Sequence, residues 1–504
     1  MFTGIYDETK SIISQIQKIE SHGQPTEQFL IANLNDWMKS NKRKLMLQSQ
    51  SYFNNDNDID DKKRWMIGRK GEKIEDLLLT NTKLPHPFMR KLVNQKIAYL
   101  LSKKFTIDCD NEAFIAAIEP YLNDDFYAML KNEGKDAIKN GIGWLQVYYN
   151  KLGKLAFKRL PPEELYPFWG DMDHTVLEAV IRMYIVVVHK DTVRTEIKKV
   201  EYYDATGVYY FEYSGTGLKA DSDKVLTKTG NFIVEVPLLD ANGNLKFDEF
   251  QQPIQTTLDV VWDNIPLVAF KYNAEETSLL KFIKPLIDNY DSMTSAASDN
   301  IQDTPNNIKV VKNYDGTDKG EFVHNMSTYK TVFVSGDGDM TSVDTPIDMS
   351  AAQAHITQLR KDIFEFGAGV DSQQKDIGNA SGVFMKFLYA DLDLDCEDIG
   401  NEFMKSLKKL IWFMQVDMKN KGIGDFMDVA YEIIFNTDVR VNEAETILNI
   451  MQSVPLLSKE TLLAQHPYVI NVKKELIRKA ADDAEELSKM EEIANFGTDP
   501  AAAQ

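Results

Sequence analysis

The sequence lacks most of what marks a catalyst, a secreted protein or a membrane protein. Its 504 residues include two cysteines, Cys109 and Cys396, far apart and with no Cys-x-x-Cys neighbour. A disulfide framework is excluded, and such usage suits a reducing compartment. No zinc signature follows either: the seven histidines are scattered and form no His-Glu-x-x-His pattern. No apolar run approaches the ~20 residues that cross a bilayer. "MYIVVVH" and "LIWFMQV" read instead as core strand and core helix. The opening "MFTGIYDETKSIISQIQKIE" has no basic region followed by an apolar one, so it is not a secretory signal. The expectation is a soluble protein made inside the cell, with no membrane partner.

Positive charge is also scarce: 57 Lys and Arg stand against 77 Asp and Glu, a net charge of −20. Such a chain does not wrap nucleic acid by neutralising phosphates, which takes clustered cations. No Walker-A pattern exists, and "NGIGW" (140–144) has one Gly-x-Gly pair without a third glycine, a turn between helix and strand. There is no Gly-x-Ser-x-Gly elbow. Neither an enzyme nor a cofactor is expected.

Three stretches test that expectation. "SGDGDMTSVDTPID" (335–348) suggests a calcium loop. Counted from Asp337, however, its sixth residue is Ser342 and its twelfth Asp348, where Gly and Glu are needed, so a β-turn is the better reading. "DLDLDCED" (391–398) packs five acids into eight residues. On a helix, Asp391, Asp395 and Asp398 share a face, read as solvated; the competing reading is a metal-dependent nuclease using Asp391, Asp393 and Asp395. "NKRKLMLQSQSYFNNDNDIDDKKR" (41–64) has cations on both sides of an acidic, Asn-rich patch, read as an exposed helix end and loop rather than a nucleic-acid contact.

What is present falls into blocks, which points to an α+β fold. Residues 51–160 are mainly helical; "FMRKLVNQKIAYLL" (88–101) has a good apolar face. A helix in 125–150 stops near Gly141 and a strand starts at Trp144. Residues 144–275 are largely β, with runs such as "VIRMYIVVVH" separated by "DATG", "SGTG" and "DANGN". A helix over 279–302 shows a thin stripe: Ile283, Leu286, Ile287, Tyr290, Met293, Ala297 and Ile301. Short strands fill 303–347. A second helix, 348–366, has an equally thin stripe of Ala352, Ile356, Leu359, Ile363 and Phe366. A Gly-rich polar stretch, 367–382, leads into a long helix over 383–420, and helical segments fill 440–495. Two thin-striped helices thus bracket a small β-module. Alone, such a hairpin is marginal; copies standing side by side would support one another, which points to an oligomer.

The order of these pieces resembles the portal proteins of tailed bacteriophages, in particular the family of long-tailed phages of Gram-positive hosts. The likeness spans about 45–475. It is carried by "QSYFNNDNDI", "NTKLPHPFMRKLVNQKIAYLLSKKFTI", "NGIGWLQVYYN", "PPEELYPFW", "FIKPLIDNYDSMTSAASDNIQDTPNNIKVVKNYDG", "FVSGDGDMTSVDTPID" and "NASGVFMKFLYADLDLDCED". The resemblance implies an N-terminal helical arm (1–29), a mixed α/β wing (30–278, with the long helix 383–420), and a helical stem hairpin (279–302 and 348–366). It further implies a small β-rich clip (303–347), a tunnel loop (367–382) and a helical crown (421–480); beyond about 480 little matches the family, and composition alone reads as an acidic flexible tail (481–504).

By the same resemblance the chain forms a ring, a dodecamer, at one capsid vertex of the virion, after assembly in the host cytoplasm. Double-stranded DNA passes through the ring during packaging and ejection. The large terminase ATPase and head-completion adaptors dock on the clip, and major capsid and scaffold proteins meet the wing. The tunnel loop would face DNA with Asp371, Ser372, Gln373, Gln374, Lys375, Asp376 and Asn379, hinged at Gly367, Gly369, Gly378 and Gly382. Channel candidates on the stem are Lys281, Lys284, Asp288, Asp291, Arg360 and Lys361. Docking candidates on the clip are Asn313, Tyr314, Asp315, Lys319 and His324. The alternative is a soluble scaffold or adaptor protein that forms no ring.

Overall fold

Helices and strands come in blocks, so the architecture is α+β. The computed structural model describes residues 27–67, 72–77, 80–150, 152–190, 193–224, 226–237, 255–260, 262, 264–303, 308–312, 320, 337–343, 349–373, 382–436, 443–469 and 472–496. The helices are α1 (Glu27–Lys39), α2 (Asn41–Asn54), α3 (Phe88–Leu101), α4 (Glu112–Ile118), α5 (Asp124–Asn140), α6 (Leu280–Asp303), α7 (Met349–Phe366), α8 (Gly382–Asn420), α9 (Glu443–Ser453), α10 (Lys459–Ala464) and α11 (Val472–Phe496). The strands are β1 (Trp65–Ile67), β2 (Lys73–Glu75), β3 (Thr106–Asp108), β4 (Ile142–Tyr149), β5 (Leu155–Leu160), β6 (Leu165–Trp169), β7 (Leu177–Lys190), β8 (Val193–Asp204) and β9 (Gly207–Tyr213). They continue with β10 (Leu218–Ala220), β11 (Lys228–Thr229), β12 (Phe232–Pro237), β13 (Gln255–Val260), β14 (Leu267–Lys271), β15 (Ile308–Lys312), β16 (Asp339–Val343) and β17 (Glu432–Ile434).

A three-stranded sheet, ordered β14-β4-β5, divides two cores. Alternate residues of β4 point to opposite faces. Leu145 and Val147 join the helical core, while Ile142 and Trp144 join Trp37, Met46 and Trp169 on the other side. A larger antiparallel sheet runs β10-β9-β8-β7-β6, with β11 also on β9. Phe29, Leu30 and Leu34 of α1 close its inner face against Phe168, Ile181 and Tyr202. The 39-residue α8, about 58 Å long, crosses the helical core and buries Leu392, Ile399, Phe403, Leu407 and Met414.

The helix expected to stop near Gly141 does so. Asn123 caps its start, its side chain accepting from Phe126 N, and Gly141 ends it at φ +84°. The strand starts at Ile142, two residues earlier than expected. A Cβ at Gly141 would lie 2.2 Å from the Glu276 carbonyl oxygen, so the position needs glycine twice over. Glu276 is itself buried at the head of α6. Its carboxylate pairs with Lys42 and lies 2.6 Å from His174 Nδ1. Burial pushes its pKa up, but the hydrogen bond from His174 and the Lys42 charge outweigh it and hold the group at about 2.

α6 and α7 run back along each other, and β15 pairs antiparallel with β16 at the far end, from Ile308↔Val343 to Lys312↔Asp339. α6 is about 36 Å long at ~1.5 Å per residue. The β16 strand occupies 339–343, the middle of the stretch weighed as a calcium loop, so its backbone is extended rather than wrapped. Among the described residues no cluster of His, Cys, Asp or Glu converges to hold a metal ion, and no helix is long and apolar enough to cross a membrane.

A depressed folded-state pKa contributes stability above the unfolded value and loses it as pH falls. Glu276→Gln is therefore expected to lower stability by about 2–3 kcal/mol at pH 7. The deficit should shrink as pH drops below about 4.5 and close near 2, read from urea midpoints of both chains across that range.

Candidate functional site at the base of the helical hairpin

The thin apolar stripe of α6 does find partners. Ile283, Ile287 and Tyr290 are buried, and Leu286, Met293 and Ala297 pack half-buried on the same core. The polar side is not left to solvent. Asp291, Ser295 and Asp299, spaced at i, i+4 and i+8, are buried as well. An extended segment of the same chain lies along them. The backbone N–H groups of Thr82, Leu84 and His86 donate to Asp299 Oδ1 (2.6 Å), Ser295 Oγ (3.1 Å) and Asp291 Oδ1 (3.1 Å). Two residues of extended chain rise about 6.6 Å and one i→i+4 step about 6.0 Å, so the contacts stay in register. Asn57 Nδ2 donates to Asp291 (2.6 Å) and Lys62 Nζ to Asp299 (3.2 Å). The His86 ring Nδ1 lies 2.7 Å from Asp291 Oδ1.

A second clamp holds the turn after α7. Lys96 of α3 is 0% exposed, and its ammonium donates to the Ala368 carbonyl (2.9 Å) and to Asp395 of α8 (2.7 Å). Gln95 bonds both backbone groups of Val370, donating to its oxygen (2.9 Å) and accepting from its nitrogen (3.0 Å). Arg360 forks onto both oxygens of Asp371 at 2.6 and 2.7 Å. That hydrogen bond keeps the guanidinium charged, and it holds the Asp371 carboxyl below its ordinary value despite burial. Lys91 lies 4.7 Å over the Phe364 ring and 3.9 Å from Asp371, and burial lowers its pKa. Between α7, the turn and the start of α8 opens a cleft of about 850 Å³ lined by Ile356, Arg360, Phe364, Gln373, Phe387 and Leu388.

These contacts sort the expected site residues. Asp291 has no solvent-exposed surface and is withdrawn from the channel candidates. Asp288 accepts from the Tyr52 hydroxyl and from Lys284 (2.7 Å), which also reaches Asp58 (2.6 Å). Arg360 belongs to the turn clamp. Lys281 and Lys361 are exposed and, among the described residues, make no ion pair. Gly367 and Gly369 have a different reason from hinge freedom: a Cβ on either would lie 2.6 or 2.2 Å from Leu92 side-chain atoms. Asp371 is held, while Ser372 and Gln373 are exposed. Gly382 is the first residue of α8. Gln374, Lys375, Asp376, Gly378 and Asn379 lie outside the described residues, as do Asn313, Tyr314, Asp315, Lys319 and His324 and most of the 1–29 arm.

The acidic run is only partly the solvated face expected. Asp391 and Asp398 are exposed, but Asp395 accepts from Lys96 and Tyr272 (2.9 Å), and Asp393 accepts from Tyr99 (2.6 Å). Two of the three carboxylates a nuclease reading needs are thereby engaged by α3 and by Tyr272, just after β14. Cys396 beside them is buried, and burial pushes its thiol up to about 12. The cations of 41–64 likewise serve the fold: Lys42 pairs with Glu276, Arg43 donates to the Glu163 carbonyl, and Lys62 binds Asp299. The platform role of α3 was missed from sequence. Its signal is Lys96, which falls between Leu92 and Leu100 on the apolar stripe.

The family model for "Phage portal protein, SPP1 Gp6-like" matches residues 38–492. A portal protein of Bacillus phage SPP1 is 28% identical over 437 residues, 86% of this chain and 82% of that relative. One of Clostridium phage phiCD119 is 26% identical over 463 residues, 89% of this chain and 92% of that relative. The family match reaches 17 residues beyond 475, taking in most of α11.

Removing one partner of a buried ion pair strands the other. Lys96→Met is expected to cost about 3–5 kcal/mol, and Lys96→Met combined with Asp395→Leu to regain most of it. Chemical denaturation of the three chains checks this. Asp291→Ala should cost about 2–3 kcal/mol and speed tryptic cutting between Lys62 and Lys73 in native buffer. Unchanged cutting would show that the 82–86 segment is held by other means.

Proposed function

The chain belongs to the SPP1 Gp6-like phage portal protein family, and from that premise we propose that it forms the ring-shaped DNA channel at one vertex of the capsid. The match over residues 38–492 carries the reading. In this proposal α6 and α7 are the stem, β15 and β16 belong to the clip, and residues 30–278 with α8 make the wing. Residues 367–382 are the tunnel loop, and residues 421–480 the crown. Twelve copies close the ring. Double-stranded DNA enters and leaves through it, terminase and head-completion adaptors take the clip, and capsid and scaffold proteins meet the wing.

Charge and clamp geometry support this reading. A duplex must slide, so its channel should not hold phosphates; each fixed cation contact would add counterion-release affinity. A net charge of −20 fits that demand. Lys281 and Lys361 are the exposed stem cations left to balance it, the others being spent on Asp58, Asp288 and Asp371. The loop's first anchor, Val370–Asp371, is fixed on α3 and α7. In this proposal ATP hydrolysis belongs to a separate motor, in keeping with a sequence that has no Walker-A pattern.

Negative-stain electron microscopy of the purified chain, with mass from light scattering, tests the proposal. The expected result is a ring with a central hole and a mass near twelve subunits. A stable dimer or tetramer without a channel would overturn it and favour an adaptor.

A further inference from the structure

Every residue of α11 from 477 to 490 is exposed, on all sides of the helix. Isolated helices are marginal in water, and tertiary packing normally supplies their stability. Ile477, Ala480, Ala484 and Leu487, spaced by three and four, form an uncovered apolar stripe that Met490 continues. The charges are segregated along the length. Before Ala480 stand Lys473, Lys474, Arg478 and Lys479 with one acid, Glu475. After it stand Asp482, Asp483, Glu485, Glu486, Glu491 and Glu492 with one cation, Lys489.

This order opposes the helix macrodipole, which favours acids in the first turn and cations in the last. Among the described residues, the ion pairs inside the helix are Arg478–Glu475 (3.5 Å), Lys479–Asp483 (3.7 Å) and Lys489–Glu485 (2.6 Å). They are solvent-exposed and contribute little. The segregation therefore has no use within the helix. It complements a second copy of itself.

We infer that α11 pairs with α11 of a second copy of this chain, the basic half of one against the acidic half of the next, with the apolar stripe closed between them. Each copy offers two different half-surfaces, so the contact is heterologous and repeats from copy to copy. A rotation about the ring axis adds no shift along that axis, so basic-on-acidic contact needs α11 inclined steeply to it, each helix displaced along its neighbour by about 18 Å, half the helix length. The inference rests on the ring reading and specifies a contact within it.

The test is amide hydrogen exchange of the 477–490 peptides in full-length assemblies of four kinds. One is the wild type. One carries Lys473→Glu, Lys474→Glu, Arg478→Glu and Lys479→Glu. One carries Asp482→Lys, Asp483→Lys, Glu485→Lys and Glu486→Lys. The last is the two variants co-expressed. The wild-type ring should protect these amides, and each variant alone should exchange about tenfold faster, since like charges then meet at several positions. Co-expression should return the protection, because alternating copies restore every opposite-charge contact. Each swap also sets like charges at i,i+3 or i,i+4 inside the helix; co-expression leaves those in place, so the return of protection reports the contact between copies. Wild-type rings without protection at 477–490, or variants as protected as wild type, would overturn the inference and leave the ring standing. A wild-type chain that forms no ring would overturn both.

Discussion

One buried ammonium, that of Lys96, ties together three parts of the chain that lie far apart in sequence. It sits on α3, holds the carbonyl of Ala368 in the turn after α7, and neutralises Asp395 near the start of α8. A charge buried this completely is tolerated only because each of these oxygens meets it. Remove the arrangement and the turn loses its floor, α7 its end point, and α8 its angle of departure. Tyr272, which donates to the same Asp395, brings the central sheet into the network. The geometry of the hairpin's base is therefore set inside one protomer.

This has a bearing on the proposed ring. A channel wall assembled from many copies must present the same surface from each, and small tilts of α6 or α7 would add up around the circle. Two clamps restrict such tilts. Asp291, Ser295 and Asp299 bind α6 to the 82–86 segment, and Arg360 with Gln95 binds the end of α7 to α3. Neither clamp reaches the terminal helices, where interactions between copies would take over in the proposed ring.

Much of the fold was legible in the sequence. Period-3.6 stripes located α6 and α7 to within a residue or so, and Gly141 announced the end of α5 because only glycine sits easily at φ +84°. The limits had one cause: side chains that answer to distant partners. Asp291 looked like a channel residue, because its partners, Asn57 and His86, lie more than 200 positions away. Gly367 and Gly369 looked like hinges, whereas they make room for Leu92. In the run 391–398, local spacing gave a face, but Lys96 and Tyr272 draw Asp395 out of it, while Asp393 stays exposed with a hydrogen bond from Tyr99. Lys96 itself broke the apolar stripe of α3 in plain view, and a charge on a stripe signals a buried partner.

The three backbone contacts along α6 also have a mechanical direction. The hydrogen bonds of Thr82, Leu84 and His86 are spaced along the helix axis, so a pull along that axis strains all three together. A pull at right angles loads one end first and peels them in turn. The same three bonds thus make a joint that is stiff against sliding and compliant against lifting. In the proposed channel, where a duplex would be driven past this helix under force, stiffness along the axis is the direction that counts.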